Sequence, residues 1–311
     1  MTADGILNVD KPEGITSFGV VSLVRRLSGV RKVGHAGTLD PNATGVLLVC
    51  LGQATRVSEY LMDLPKTYRA TVRLGVATDT YDSEGEVTSE GDTSGVEQTS
   101  VVEALAQLQR QDEQVPPSFS AVKVGGTPAH RLARAGRPVA LRPRRVKIEA
   151  IELISFASPL VEIEVRCGKG TYIRTLANDL GVQLGCGAHL QALRRDAVGD
   201  FFGDDAISTE RLEAAFADGA WRQLLLPLDR ALAAFPAVEL DETEEADVRQ
   251  GRALKADSAA FRRIEDPEAS PRCRAYGAAG SCLAVLCHDR EANTWRPEKV
   301  FIPAHRLAEP E

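Results

Sequence analysis

The sequence predicts an α+β protein, with strands and helices interleaved over most of its length and a smaller β-rich unit at the C-terminal end. Three observations carry this. Runs such as 67–74 and 161–167 alternate apolar and polar residues with period two, the pattern of half-buried strands. Between such runs, Val20, Val21, Val24 and Leu27, and again Ile173, Leu176, Ala177 and Leu180, recur at helical spacing. From about Phe235 the texture changes, because Pro236 follows an Ala-rich helix, an acidic cluster runs from Asp241 to Asp247, and short strand-like runs such as 281–287 follow. The expected domains are 1–235 and 236–311.

In chain order, Ile6 to Val9 reads as a short strand, Lys11-Pro12-Glu13-Gly14 as a turn, and Ser17 as the N-cap of a helix that ends before Gly29. A glycine-rich segment containing Asp40 follows, and Asn42-Ala43-Thr44-Gly45 turns it into the buried strand 46–51. In the run 67–74, Tyr68 lies with the apolar face of Ala70, Val72 and Leu74, opposite Arg69, Thr71 and Arg73. Residues 85–97 are polar and small, a loop, and a helix lies near 101–108. The strand 161–167 is turned by Gly168-Lys169-Gly170 directly into a helix whose first turn holds Tyr172 and Arg174. A cation there opposes the helix dipole at a cost of some tenths of a kcal/mol. A local rule broken in this way points to an acidic partner brought from elsewhere in the chain.

The 311 residues, 43% apolar and 26% charged, are those of a globular protein able to bury a core. No stretch has the length and apolarity of a membrane span, and the start of the chain lacks a basic, apolar leader, so the expectation is a cytoplasmic protein with no membrane contact. The six cysteines form no C-x-x-C pair and read as reduced thiols, and no metal site is expected. A net charge of −7 argues against a polyanion partner until its distribution is considered. Residues 121–147 hold eight Lys or Arg and no acid, whereas 79–113 hold ten acids and one Arg. The basic block, broken by Gly125-Gly126, Pro128, Gly136, Pro138 and Pro143, reads as an excursion from the core suited to a polyanion.

Asp40-Pro41 alone is a common turn dipeptide. Its neighbours give it more meaning: Gly34, Gly37 and Gly45 allow close backbone approach to a ligand, and His35 puts a flat polar ring on the same segment. The stretch GHAGTLDPNATGVL from Gly34 resembles the catalytic motif of the bacterial tRNA pseudouridine-55 synthases, the TruB family. GILNVDKP at 5–12, KTYRATVRLGVATDTYD at 66–82, VPPSFSAVK at 115–123 and GKGTYIRTLANDLGVQLGCGAHLQAL at 168–193 resemble it in the same order.

The resemblance implies a catalytic domain built on a mixed, mainly antiparallel sheet flanked by helices, followed by a small PUA-like domain, to which the C-terminal segment is only faintly similar. It implies isomerisation of uridine 55 in the T-loop of tRNA to pseudouridine by base flipping, with Asp40 as a nucleophile that needs no activating base. Arg174 would pair with Asp40 and hold it, answering the misplaced cation. Tyr68 would stack on the uracil and handle a proton, with Tyr172 and Leu193 lining the same pocket. His35 would fill the gap left by the flipped base, and Lys11 would contact phosphate or support the pocket. Lys123, Arg131, Arg134, Arg142, Arg144 and Arg145 belong to the family's RNA-clamping insertion and would grip the stem-loop through its phosphates. His130 stands where the family often has Tyr.

Internal rearrangement of a nucleoside needs no cofactor, and the chain has neither a P-loop nor a dinucleotide fingerprint. The expected partner is the T stem-loop of tRNA, bound by a monomer that requires no protein partner. Two alternatives stay open at this point: a tRNA-folding chaperone, and a pseudouridine synthase with a different RNA target.

Overall fold

The alternating and continuous apolar runs assemble into one large sheet in a computed structural model that describes residues 3–301 apart from 138, 263 and 265. Its main strands are β1 (Gly5–Lys11), β2 (Val33–His35), β3 (Thr44–Leu51) and β4 (Lys66–Leu74). A two-residue strand pair outside this sheet follows, β5 (Glu113–Gln114) with β6 (Arg144–Arg145). The large sheet is completed by β7 (Ile148–Ala157), β8 (Leu160–Cys167), β9 (Ala188–Val198) and β10 (Ile207–Ser208). The order is β7-β8-β4-β9-β3-β1-β10, with β2 also on β3. Pairs are antiparallel except β9 with β3 and β1 with β10, which gives the mixed, mainly antiparallel sheet expected.

The helices are α1 (Ser17–Ser28), α2 (Ser58–Asp63), α3 (Gln98–Gln109), α4 (Ala129–Arg134), α5 (Ile173–Gln183), α6 (Thr209–Ala217) and α7 (Glu242–Arg249). α3 and α5 cover the β7-β8-β4-β9 half of the sheet, where Leu105, Leu108, Leu176 and Leu180 meet Val72, Val161 and Ile163. α1 and α6 cover one face of β1 and β3. β3 is apolar at every position from Val46 because both its faces are buried: Leu47, Val49 and Leu51 face α1, whereas Val46, Leu48 and Cys50 face a core shared with Val285 and Phe301. The two halves meet at a narrow seam. β9 runs beside β4 from Ala188 to Val198 but touches β3 at only two pairs, Arg194 with Thr44 and Arg195 with Gly45. Gly45, at φ +98°, is required there, since a Cβ would stand 2.2 Å from the Arg195 carbonyl oxygen.

The C-terminal strands β11 (Ala237–Glu239), β12 (Leu254–Lys255), β13 (Arg272–Tyr276), β14 (Cys282–Asp289) and β15 (Thr294–Val300) form a separate sheet in the order β11-β13-β14-β15-β12. The acidic cluster at 241–247 is the start of α7, where Asp241 and Glu244 form a capping box. The sheet is tied to the rest of the chain by Lys299 against Glu59 of α2 at 2.6 Å and by the Tyr276 hydroxyl donating to Asp229 at 2.6 Å.

Two local expectations are corrected. Thr16, not Ser17, caps α1, its hydroxyl accepting from the Gly19 amide; Ser17 is buried and bonds elsewhere. Residues 85–97 are not all loop, because Val87–Glu90 pairs with Val76–Thr78. The six cysteines are free thiols, four of them buried. Among the described residues no helix is long and apolar enough to cross a membrane, and no group of three or more potential metal ligands comes together.

Candidate active site

The segment between β2 and β3 carries Asp40, and the chain clamps it on both sides. The Ser17 hydroxyl donates to the Leu39 carbonyl at 3.0 Å and accepts from the Leu39 amide at 2.8 Å. On the other flank the Pro41 carbonyl accepts from Lys11 Nζ at 2.8 Å and from the Gly14 amide at 3.0 Å. Lys11 is fully buried, and its ammonium also donates to the carbonyls of Pro12 and Ile15. All three of its protons are thus spent on backbone, an arrangement that supports the loop and leaves none for a phosphate. Burial pulls the Lys11 ammonium down to about 8, against the attraction of Asp40 and Glu13.

With its backbone fixed, the half-exposed Asp40 carboxylate meets the one group from α5 that points at it. Arg174 Nε lies 3.0 Å from Asp40 Oδ2, across 134 positions of sequence. The guanidinium is almost wholly buried and spends its remaining donors on neighbours: Nη2 donates to the Phe119 carbonyl at 3.0 Å, and Nη1 faces Asp82 Oδ2 at 3.3 Å and the Thr80 carbonyl at 3.4 Å. Arg174 therefore stands between two carboxylates. The unfavourable placement of a cation in the first turn of α5 is offset by both.

Tyr68 and Leu193 lie on the neighbouring strands β4 and β9, and the Asp40 carboxylate is close enough to the Tyr68 hydroxyl to act on it electrostatically. Tyr68 on β4 and Leu193 on β9 are partly buried against the core under α5, and Tyr68 pairs in register with Arg195. Burial holds the Tyr68 hydroxyl above the ordinary tyrosine value, with the Arg195 guanidinium pulling the other way. Arg195 is itself buried and donates to the carbonyls of Val46 at 2.7 Å and Gly37 at 3.2 Å, tying β9 to β3 and to the Asp40 loop. His35 closes β2 rather than lying in the loop. Burial first, and Arg195 second, lower its imidazole below the usual histidine value, so the ring is neutral at neutral pH. Its Nδ1 is buried with no hydrogen-bond partner among the described residues.

Tyr172 is the N-cap residue of α5, in extended conformation and without a capping hydrogen bond from its own side chain. Its backbone is held by Gln114, whose carboxamide accepts from the Tyr172 amide at 2.8 Å and donates to its carbonyl at 3.1 Å. The basic block forms a separate excursion: a hairpin of Lys123–Val124 with Thr127–Pro128, then α4, then β6. Lys123, Arg131, Arg134, Arg142, Arg144 and Arg145 are all exposed on it. His130 turns inward, its Nδ1 3.0 Å from the Ser120 carbonyl.

Asp82, Arg195, Gln114 and Ser17 take part in this arrangement although none of them was expected as a site residue from the sequence. Only Arg195 carried a usable signal, since period two along β9 puts it on the face of Leu193. A half-exposed carboxylate fixed through its flanking backbone, paired to a buried guanidinium and within electrostatic reach of a tyrosine, can act as a nucleophile.

Residues 25–173 match the profile of the TruB family pseudouridylate synthase N-terminal domain, and 174–233 match that of the tRNA pseudouridylate synthase B C-terminal domain. The tRNA pseudouridine synthase B of Dehalococcoides mccartyi is 45% identical over 299 residues, 96% of this chain and 97% of its own length. That of Azoarcus sp. is 47% identical over 255 residues, 81% of this chain and 83% of its own. Among solved structures, a chain of a Cbf5-Nop10-Gar1 complex superposes with a TM-score of 0.75 at 28% identity, covering 97% of this chain and 86% of that one.

Proposed function

The chain belongs to the TruB family of pseudouridylate synthases, and from this we propose that it isomerises uridine 55 in the T-loop of tRNA, with Asp40 as the nucleophile. It is a tRNA pseudouridine synthase, an enzyme of the isomerase class. The net reaction breaks the bond from the sugar to uracil N1, makes one to C5, releases the C5 proton and places a proton on N1, so that product and substrate are isomers; no electrons are exchanged with a carrier. The observation that carries the site assignment is the 3.0 Å contact between Asp40 and Arg174.

In this reading the target base leaves its stack at a cost of a few kcal/mol and enters between Tyr68 and Leu193. The neutral, half-buried His35 ring takes the space the base vacates. Arg174 orients the Asp40 carboxylate; attack by Asp40 on the nucleotide accompanies cleavage of the sugar–N1 bond and holds the nucleotide while the freed base turns, and the bond to Asp40 breaks again as C5 joins the sugar, returning the free carboxylate. The partly buried, protonated Tyr68 stacks on the ring and exchanges a proton in the rearrangement. Tyr172 closes the pocket at the start of α5. Lys11 acts from beneath by fixing Pro41.

The exposed cations at Lys123, Arg131, Arg134, Arg142, Arg144 and Arg145 grip the stem-loop through its phosphates. Because the basic insertion is part of the same chain, the enzyme works as a cytoplasmic monomer with no protein partner. We assign residues 1–235 to the catalytic domain and 236–311 to a PUA-like domain, residues 1–2 and 302–311 of these lying outside the described residues. A tRNA transcript carrying tritium at carbon 5 of its uridines tests the target: release from the native sequence is expected, and none when cytidine replaces uridine 55. Release from the cytidine transcript would move the target elsewhere.

A further inference from the structure

The basic insertion leaves and rejoins the fold at one place, and that place is wired to the start of α5. Its outgoing limb follows β5, and its return limb is β6, which pairs Arg144 with Gln114 and Arg145 with Glu113. The Val146 amide then bonds to the Asp112 carbonyl at 2.8 Å. From β5 onward the chain tracks the first turn of α5. Gln114 bonds both backbone groups of Tyr172, and the Phe119 carbonyl accepts from Arg174. Gln114 is 5% exposed, and with Tyr172 N–H and C=O it satisfies both halves of its carboxamide. A buried amide satisfied in this way fixes distance and orientation, since any shift of β5 leaves an orphaned polar group on one side or the other.

We propose that Gln114 is a positioning residue, setting the start of α5, and with it Arg174, in register with the basic insertion. A load on the exposed arginines of β6 passes through the β5–β6 pairing to the Gln114 carboxamide, from there to the backbone of Tyr172, and two residues on to the guanidinium that holds Asp40. RNA seated on the insertion and the geometry of the Asp40–Arg174 pair are coupled through this side chain, alongside the direct bond from Arg174 to the Phe119 carbonyl. The inference rests on the proposed roles of Asp40 and Arg174.

Two variants test it. Gln114→Leu removes both bonds at similar volume. Gln114→Glu keeps the acceptor for the Tyr172 amide and loses the donor, which protonation of the carboxylate restores. Single-turnover rates at saturating tRNA, tRNA affinity and thermal stability are measured for both, with Asp40→Asn alongside. The expected result is a rate about ten- to a hundredfold lower for Gln114→Leu with affinity little changed. Gln114→Glu should be intermediate, its rate relative to wild type rising as pH is lowered. If either variant loses thermal stability yet keeps the wild-type rate per folded molecule and shows no such pH response, Gln114 is structural only and the proposal falls. If Asp40→Asn retains activity, the site reading fails instead, and the proposal with it.

Discussion

Replacing Asp82 with Asn tests whether Arg174 is held from both sides. Asp82 Oδ2 stands 3.3 Å from Arg174 Nη1, and the two side chains are 19% and 9% exposed. Unit charges about 4 Å apart at an effective dielectric of about 20 attract by about 4 kcal/mol. Desolvation offsets much of this, and Asp40 still balances the guanidinium, so the net loss is about 2 kcal/mol. In a chain of this length that lowers Tm by about 3 °C. With its far edge released, the guanidinium turns toward Asp40 and competes for the lone pairs that must reach the substrate, and the single-turnover rate falls about tenfold. A double-mutant cycle with Arg174→Met, read by urea unfolding, isolates the pair. The expected coupling is about 2 kcal/mol. Additive effects, within about 0.5 kcal/mol, would show that Asp82 is an incidental neighbour and refute the two-sided clamp.

Lys11, with its ammonium at about 8 rather than the usual 10.5, gives a pH dependence of definite sign. The protonated form with its three carbonyl bonds persists below that value and is lost above it, so activity should fall as pH rises through about 8. Stability should move the other way, because between the folded and unfolded values the unfolded chain binds the proton more tightly. Lys11→Arg keeps the charge and should lack the alkaline fall; an unchanged alkaline limb in that variant assigns the titration to another group. Converting Arg142, Arg144 and Arg145 together to Gln should weaken tRNA binding and reduce the slope of log affinity against log salt by about 2 to 3. An unaltered slope would leave these residues as a solvated face.

The large sheet was legible because its strands advertise themselves: period two in β4 and β8, and an unbroken apolar run in β3 that only a strand buried on both faces explains. The link between Asp40 and Arg174 was legible in two steps, since a cation in the first turn of a helix demanded an acid and the family resemblance named Asp40, which lies 3.0 Å from Arg174. Two acids answered it. Asp82 was invisible as a site residue because it lies in an acid-rich stretch that reads as solvated loop. Gln114 and Ser17 were invisible for a different reason: they act on backbone, and a polar side chain that clamps backbone has no signature of periodicity or charge. The N-cap was misplaced by one residue because Thr16 and Ser17 are both good caps, and only the fold decides which hydroxyl is needed at Leu39.

Release of tritium from carbon 5 of uridine in unmodified tRNA, compared between wild type and Asp40→Asn, is the most direct test of the account. The substitution keeps the size and hydrogen-bonding reach of the side chain while removing its charge. Release by wild type and none by Asp40→Asn, with tRNA still bound, is the predicted result. Release by the variant at the wild-type rate would contradict the role of Asp40 and the mechanism built on it.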